Sequence, residues 1–171
     1  IGEEFDQTEP QEPPRAYLLC SSPRTGSHFL CRILHALGLG VPHEYFNTRY
    51  TELFGERHGV TAADALRDPG RYWRLLESKR SQGGWVGAKL QFPHLVSFFA
   101  SGTLNPVLRK ARYIYLYRRD LAAQAESWRR SLSTGKWAFD EIATTTPLPH
   151  IGTDAAQPGR LIRALATQDA Q

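Results

Sequence analysis

The sequence predicts an α/β domain with a central parallel sheet that is flanked by helices on both faces. Apolar runs of strand length occur at residues 16–20, 85–90 and 113–117, and a segment with helical features follows each of them. The runs are continuously apolar, which is typical of strands buried on both faces. Strands that alternate with helices form a parallel sheet, so one α/β domain accounts for the pattern.

The first strand leads into a loop of small and cationic residues. Residues 21–27 read SSPRTGS, and the helix that follows is expected to bury Leu30, Ile33, Leu34 and Leu37 before it ends at Gly38. The start of a helix presents unpaired backbone N–H groups and the positive end of its dipole. Arg24 adds a positive charge, and Gly26 lets an anion approach the backbone. The loop therefore predicts an anion site, with an ordinary strand-to-helix turn as the alternative.

The middle of the chain contains the second strand and its neighbours. Residues 41–50 are expected to form a loop rich in polar and aromatic side chains. Thr61 is a suitable N-cap, with Asp64 three residues later, and predicts a helix over residues 62–76. The second strand, WVGAKL, precedes a helix whose first turn holds Pro93.

The third strand, YIYLY, follows a stretch at residues 101–110 that we expect to be a loop or a short helix. Asp120 can cap the next helix, which begins LAAQAESWRRSL. Residues 144–158 show no periodicity and predict a long, mobile or partner-contacting loop. A last helical pattern begins near Arg160.

Charge is unevenly distributed along the chain. Residues 1–14 contain five acidic side chains and no Lys or Arg, which predicts a disordered acidic arm. From Arg15 onward, 21 basic residues face 12 acidic ones, an excess that favours an anionic ligand. No run has the length of a membrane span, and no secretory leader is visible, so a cytoplasmic protein without an integral membrane segment is expected. Cys20 and Cys31 are expected to be packing residues.

The ends of the three predicted strands carry cations. Lys89 and Gln91 end the second strand, and Arg118 and Arg119 follow the third. Because the carboxyl ends of parallel strands meet at one edge of a sheet, these residues and the Arg24 loop should form a basic rim. The sequence lacks GxxxxGK[ST] and an Asp at a strand end, so we expect the rim to neutralise its anion without a metal ion.

Three blocks carry a resemblance to a known family. They are YLLCSSPRTGSHFLCRILHALGLGVPHEYFN, GWVGAKL and YIYLYRRDLAAQAESWRRSLSTGKW, in this order. The chain resembles the bacterial sulfotransferases of the trehalose 2-sulfotransferase type, a broad group that includes lipopolysaccharide sulfotransferases. The resemblance implies a P-loop-like three-layer sandwich. Residues 15–171 would be its N-terminal and central part, with the family's domain continuing beyond Gln171.

The resemblance also implies a reaction. A sulfuryl group would pass from 3′-phosphoadenosine 5′-phosphosulfate (PAPS) to a hydroxyl of a carbohydrate or glycolipid, leaving adenosine 3′,5′-bisphosphate. The family's 5′-phosphosulfate loop corresponds to Arg24, Thr25, Gly26 and Ser27, and His28 stands where the trehalose enzyme has Thr. Its 3′-phosphate site corresponds to Ser127 with either Arg118 or Arg119, and the choice between the two arginines stays open.

The catalytic residues implied by the resemblance are Glu44, Lys89 and Arg24. Lys89 corresponds to a strand lysine near the sulfuryl group, where a cation stabilises developing charge. The animal cytosolic enzymes have a His base two residues later, but here that residue is Gln91, which cannot accept a proton at neutral pH. Glu44 matches the base of the trehalose-type branch, and His43 is the nearest rival.

The family also implies partners, and two other classes of function compete with it. A sugar or glycolipid acceptor and a homodimer are expected, and no nucleic acid. One alternative is a diverged nucleotide kinase, which would bind ATP with Mg²⁺. The other is a non-catalytic basic module that binds nucleic acid or acidic glycan, although the sequence lacks a dedicated nucleic-acid motif.

Overall fold

A parallel three-stranded sheet organises the fold. The computed structural model describes residues 2–7, 13–100 and 102–137. Its strands are β1 (Arg15–Ser21), β2 (Trp85–Leu90) and β3 (Arg112–Leu116), in the order β2-β1-β3. β1 and β2 run parallel, with Arg15 opposite Trp85 and Cys20 opposite Leu90. The predicted mixed α/β class with a parallel sheet and flanking helices is confirmed.

Helices and short turns connect the strands. In the described part of the chain they are α1 (Ser27–Ala36), α2 (Thr48–Gly55), α3 (Ala62–Arg67), α4 (Pro69–Arg80), α5 (Phe92–Phe99), α6 (Asn105–Lys110) and α7 (Leu121–Thr134). Two 3-10 turns, Glu3–Phe5 and Glu56–His58, complete the set. Among these described residues, no helix has the length and apolar character that crossing a membrane requires.

The chain divides into two compact units. Of the described residues, the first unit holds 2–7, 13–20, 28–100 and 102–115. The second holds 21–27 and 116–137, which are the loop after β1 and the segment with α7. The predicted site residues are therefore distributed over both units.

The core of the first unit covers both faces of β1. Leu18 packs with β2 residues in an aromatic-rich cluster that includes Phe46 and Trp73. Its neighbours Tyr17 and Leu19, which point to the other face, are also buried. A Cβ added at Gly87 would lie only 2.1 Å from the Tyr17 ring, so the close pairing of β1 and β2 requires glycine there.

Most helices begin where the sequence predicts. Thr61 and Asp64 form the predicted capping box of α3. The single helix expected over residues 62–76 is two helices, because Asp68 caps a new one and Pro69 takes its first position. A further helix, α2, lies where no helix was predicted, and the Asn47 side chain caps it.

Two predicted buried faces are more exposed than expected. In β3, Tyr113 and Tyr115 are 58% and 54% exposed. β3 is at the edge of the described sheet, where a strand has one neighbour only, and tyrosine tolerates water at its hydroxyl end. In α1, Leu34 is buried, but Ile33 is 40% exposed, and Leu37, just after the helix, is 68% exposed. The buried stripe of α1 is narrower than the apolar spacing indicates.

Residues 2–7, which the sequence assigns to a disordered arm, form defined contacts. Asp6 lies 2.8 Å from the guanidinium of Arg80, whose side chain is fully buried. The backbone N–H of Gln7 donates to the carbonyl of Lys79 at 3.0 Å. Acidic composition favours disorder only while the acids lack partners, and here Asp6 has one. The predicted loop at 144–158 and the last helix from Arg160 lie outside the described residues.

Candidate functional site

The loop between β1 and α1 is held in a tight turn. Arg24 has a φ of 66° and Gly26 has a φ of 88°, so both adopt the left-handed conformation. A residue other than glycine needs support to remain there, since this conformation costs it about 1–2 kcal/mol. Arg24 has such support, because its Nε donates to Ser127 Oγ at 3.0 Å and its Nη1 donates to the carbonyl of Trp137. Thr25 Oγ1 donates to the carbonyl of Ser22 at 3.2 Å.

A buried glutamine fixes the same loop from α7. Gln124 is fully buried, and its Nε2 donates to Ser22 Oγ at 3.0 Å and to the carbonyl of Pro23 at 2.6 Å. Gln124 was not predicted to be a site residue. A signal was available, since Gln124, Ser127 and Ser131 recur at the spacing of one helix face, which is unusual for the buried side of a helix.

The residues predicted for the 3′-phosphate lie on and before α7. Ser127 accepts a hydrogen bond from Arg24, so two of the predicted cofactor residues are in direct contact. Arg118 is half-buried and Arg119 is exposed, and both precede Asp120, whose side chain caps α7 by accepting from Ala123 N–H at 2.8 Å. The structure brings Ser127 to Arg24, and among the described residues it shows no hydrogen bond between Ser127 and either of these arginines.

A second cluster, in the first unit, surrounds Glu44. The segment after α1 pairs with β2, because His43 forms a parallel bridge with Ala88 and its carbonyl accepts from Lys89 N–H at 2.9 Å. This pairing puts Glu44 beside Lys89, and Glu44 Oε1 lies 2.5 Å from Lys89 Nζ. The two side chains are only 14% and 9% exposed. Thus the structure brings together the two catalytic residues predicted on this unit.

Two side-chain amides complete the surroundings of the Glu44 carboxylate. Gln91 Nε2 donates to Oε1 at 3.1 Å, and Asn47 Nδ2 donates to Oε2 at 3.4 Å. Gln91, which replaces the histidine base of the animal enzymes, is thus a hydrogen-bond donor to Glu44. Neither amide was predicted to be a site residue. For Gln91, its position two residues after Lys89 was the available signal.

Histidines lie near Glu44, but burial keeps their charged forms unfavourable. Burial lowers the pKa of His43 well below its usual value, and the nearby Lys89 lowers it further. The His43 ring contacts Tyr50 at 4.3 Å and His28 at 5.9 Å between centroids. Burial also lowers the pKa of His94, while Glu44 opposes that shift. A base with a strongly lowered pKa is weak, which argues against His43 as the proton acceptor.

The two clusters have different chemical capacities. The loop of the second unit combines an arginine, hydroxyl groups and backbone N–H groups, which are groups that bind anions. The Glu44 cluster combines a carboxylate that can accept a proton with a cation that can stabilise developing negative charge. Among residues 2–7, 13–100 and 102–137, no group of three or more His, Cys, Asp or Glu side chains could hold a metal ion.

The loop after β1 holds groups suited to anions, and the cluster beside β2 holds a carboxylate next to a lysine. Comparison with family models identifies the class of protein. The model of the Stf0 sulphotransferase family matches residues 16–168, which is most of the chain. The chain therefore belongs to the Stf0 sulphotransferase family, whose members transfer sulfuryl groups. No curated protein matches the chain.

Proposed function

We propose that this protein transfers the sulfuryl group of PAPS to a hydroxyl of a carbohydrate or glycolipid. The observation that carries the proposal is the buried contact between Glu44 and Lys89 in a chain of the sulphotransferase family. A carboxylate that removes the hydroxyl proton and a cation that receives negative charge are the two groups that this transfer needs.

The loop of the second unit fits the phosphosulfate end of the donor. Gly26 has no atom within 4 Å of the position that a Cβ would occupy, so open space lies against the loop backbone. Ser27 begins the ten-residue helix α1, whose first N–H groups have no partner within the helix. In our proposal these N–H groups, the side chain of Arg24 and the Thr25 hydroxyl bind the 5′-phosphosulfate. Ser127, with Arg118 or Arg119, binds the 3′-phosphate.

The residues of the first unit then act on the acceptor. Glu44 takes the proton of the acceptor hydroxyl, and the hydroxyl oxygen forms a bond to sulfur. The bond between sulfur and the bridging phosphate oxygen breaks, and its electron pair stays on the departing adenosine 3′,5′-bisphosphate. Lys89 stabilises negative charge on the sulfuryl oxygens and on the departing phosphate, as cations do in loose phosphoryl transfer.

A transfer assay tests this proposal. The protein is incubated with ³⁵S-labelled PAPS and a panel of sugars and glycolipids that includes trehalose, and labelled products are separated from the donor. Glu44→Gln should lower turnover about 10²–10⁴-fold, the usual contribution of a general base. Binding of adenosine 3′,5′-bisphosphate, measured by calorimetry without Mg²⁺, should change less than about threefold, because no reacting proton is involved.

The matched control is Glu52→Gln, which removes the same charge from an exposed position on α2. It should leave both turnover and nucleotide binding unchanged. Unaltered turnover in Glu44→Gln would remove Glu44 from the role of base. Binding of ATP only with Mg²⁺ would favour the kinase alternative. Steeply salt-dependent binding of polyanions without competition by the bisphosphate would favour the non-catalytic module.

We also propose a homodimer and an acceptor of the sugar class. Both follow from the resemblance to the trehalose-type enzymes. Sedimentation of the protein with and without a sugar that supports transfer measures the mass. A protein that stays monomeric during turnover would refute the dimer.

A further inference from the structure

The two oxygens of the Glu44 carboxylate have unequal environments. Oε1 accepts from Lys89 Nζ at 2.5 Å and from Gln91 Nε2 at 3.1 Å. Oε2 accepts from Asn47 Nδ2 alone among the described residues, at 3.4 Å. A typical N–H···O hydrogen bond is about 2.9 Å long, so the bond to Oε2 is weak. Each carboxylate oxygen has about two lone-pair sites, so both sites of Oε1 face a nitrogen, whereas Oε2 has a site that is still open to accept a proton.

The orientation of both amides is fixed by their other contacts. The Oδ1 of Asn47 caps α2 by accepting from Arg49 N–H at 3.2 Å, so the NH₂ group must face Glu44. A carboxylate oxygen only accepts, so Gln91 must also present its NH₂ group. Gln91 is the N-cap of α5, and its backbone N–H donates to His94 Nδ1 at 3.2 Å. Both donors are thus attached to the first turn of a helix.

We infer that Gln91 is a positioning residue, which with Lys89 anchors Oε1 of Glu44 and leaves Oε2 as the atom that takes the acceptor proton. This inference rests on the proposed function. In the step, the O–H bond of the acceptor breaks and an Oε2–H bond forms. The hydroxyl oxygen uses the released electron pair to form the new S–O bond, and the S–O bond to the donor phosphate breaks.

Other ionisable groups lie near Glu44, and burial shifts the pKa values of three of them. Burial raises the pKa of the Cys31 thiol to about 11, with Lys89 and Glu44 as smaller influences. Burial lowers the pKa values of His94 and His43, and the hydrogen bond that His94 Nδ1 accepts requires its neutral form. Protonation of these histidines would contribute to the acid limb of a pH–rate profile, so kcat values are compared at pH 7.5.

A substitution of Gln91 tests the inference, and a change at an exposed position of the same helix is the control. Gln91→Met keeps the length of the side chain but removes the donor to Oε1, so Oε1 and Oε2 compete for the proton and the carboxylate can rotate. It should lower kcat about 10-fold or more, the value of a hydrogen bond to a charged group, with the KM for PAPS unchanged. The control, Ser97→Ala, removes a hydrogen bond within α5, where the exposed Ser97 hydroxyl donates to the carbonyl of Pro93. It should leave kcat within about twofold.

Gln91→Leu serves as a second variant if Gln91→Met does not fold. It also lacks a donor and should also lower kcat, while Gln91→Asn, which keeps an amide but is too short, should not restore it. Retained kcat in the folded Gln91 variants, or an equal loss in Ser97→Ala, would overturn the inference.

A measurement without acceptor separates this inference from the proposed function. Two double-mutant cycles in urea unfolding pair Glu44→Gln with Gln91→Met and with Asn47→Ser. The coupling of Glu44 to Gln91 should be larger than its coupling to Asn47, because the hydrogen bond from Gln91 is 3.1 Å long and that from Asn47 is 3.4 Å. Equal couplings would refute the unequal anchoring even if no sugar supports turnover. Failure of the wild-type protein to transfer sulfate, with the expected couplings, would instead refute the proposed function alone.

Discussion

The contact between Glu44 and Lys89 should be a strongly coupled pair, and a double-mutant cycle measures that coupling without knowledge of the acceptor. The variants are Glu44→Gln, Lys89→Met and their combination, each unfolded by urea at pH 7. Coulomb's law at an effective dielectric constant of 20 gives roughly 4 kcal/mol for unit charges 4 Å apart, and this pair is closer, at 2.5 Å. Removing one partner of a buried pair typically costs about 3–5 kcal/mol.

The single variants should lie at or below the lower end of that range. Glu44→Gln leaves an amide oxygen for Lys89, and Lys89→Met leaves Glu44 with its two amide donors. We expect each to lower the free energy of unfolding by about 2–3 kcal/mol, and the double variant to be about 2 kcal/mol more stable than their sum indicates.

An exposed pair on α7 is the control for this cycle. Glu126 and Arg129 are 2.8 Å apart, but their side chains are 42% and 43% exposed. Their coupling should stay below about 1 kcal/mol, as for other surface pairs. A coupling between Glu44 and Lys89 as small as that of the control would show that water screens the pair, and the argument for a base and a cation in a shielded cluster would fail.

Two further predictions concern the loop and the buried histidine. Gln124→Leu removes the hydrogen bonds to Ser22 and Pro23, so the affinity for adenosine 3′,5′-bisphosphate, measured by calorimetry, should fall about 10-fold. The control, Ser133→Ala on the same helix, should not alter this affinity. Equal affinities of the two variants would show that the loop keeps its shape without Gln124. Because burial lowers the pKa of His43 well below its usual value of 6.5, the unfolded chain binds a proton below about pH 6.5 that the folded chain does not. The free energy of unfolding should therefore fall as the pH drops below 6.5. In urea unfolding, His43→Phe should lose less stability between pH 7.5 and pH 5.5 than the wild-type protein does. An equal loss would mean that His43 is not the group responsible.

Patterns of residues close together in the sequence predicted most of the helices and strands. The strand WVGAKL, the capping box of Thr61 and the capping of α7 by Asp120 each depend on neighbouring residues, and all three are present. The exposure of β3 and the helix α2 were not predicted, and both have a physical reason. The apolar run of β3 cannot reveal whether its strand has one neighbour or two, and α2 is short and depends on its Asn47 cap and buried Phe54 more than on a periodic pattern.

The candidate site was predictable only in part. Strand ends gather at one edge of a parallel sheet, and this rule anticipates Lys89, while the resemblance gave Glu44. Gln91, Asn47 and Gln124 are different, because an amide carries no charge and its sequence position does not show which residue it contacts. Their importance comes from contacts between residues far apart in the sequence, such as the 47 positions that separate Gln91 from Glu44.

The tie between Asp6 and Arg80 bears on how the protein should be produced. The Arg80 guanidinium is 4.9 Å from the ring centroid of Phe54 and 6.0 Å from that of Tyr45, the neighbour of Glu44. A shortened version that starts at Pro13 would remove the Asp6 carboxylate from the buried Arg80 side chain, which lies next to these core rings. Purification tags should therefore leave residues 2–7 in place.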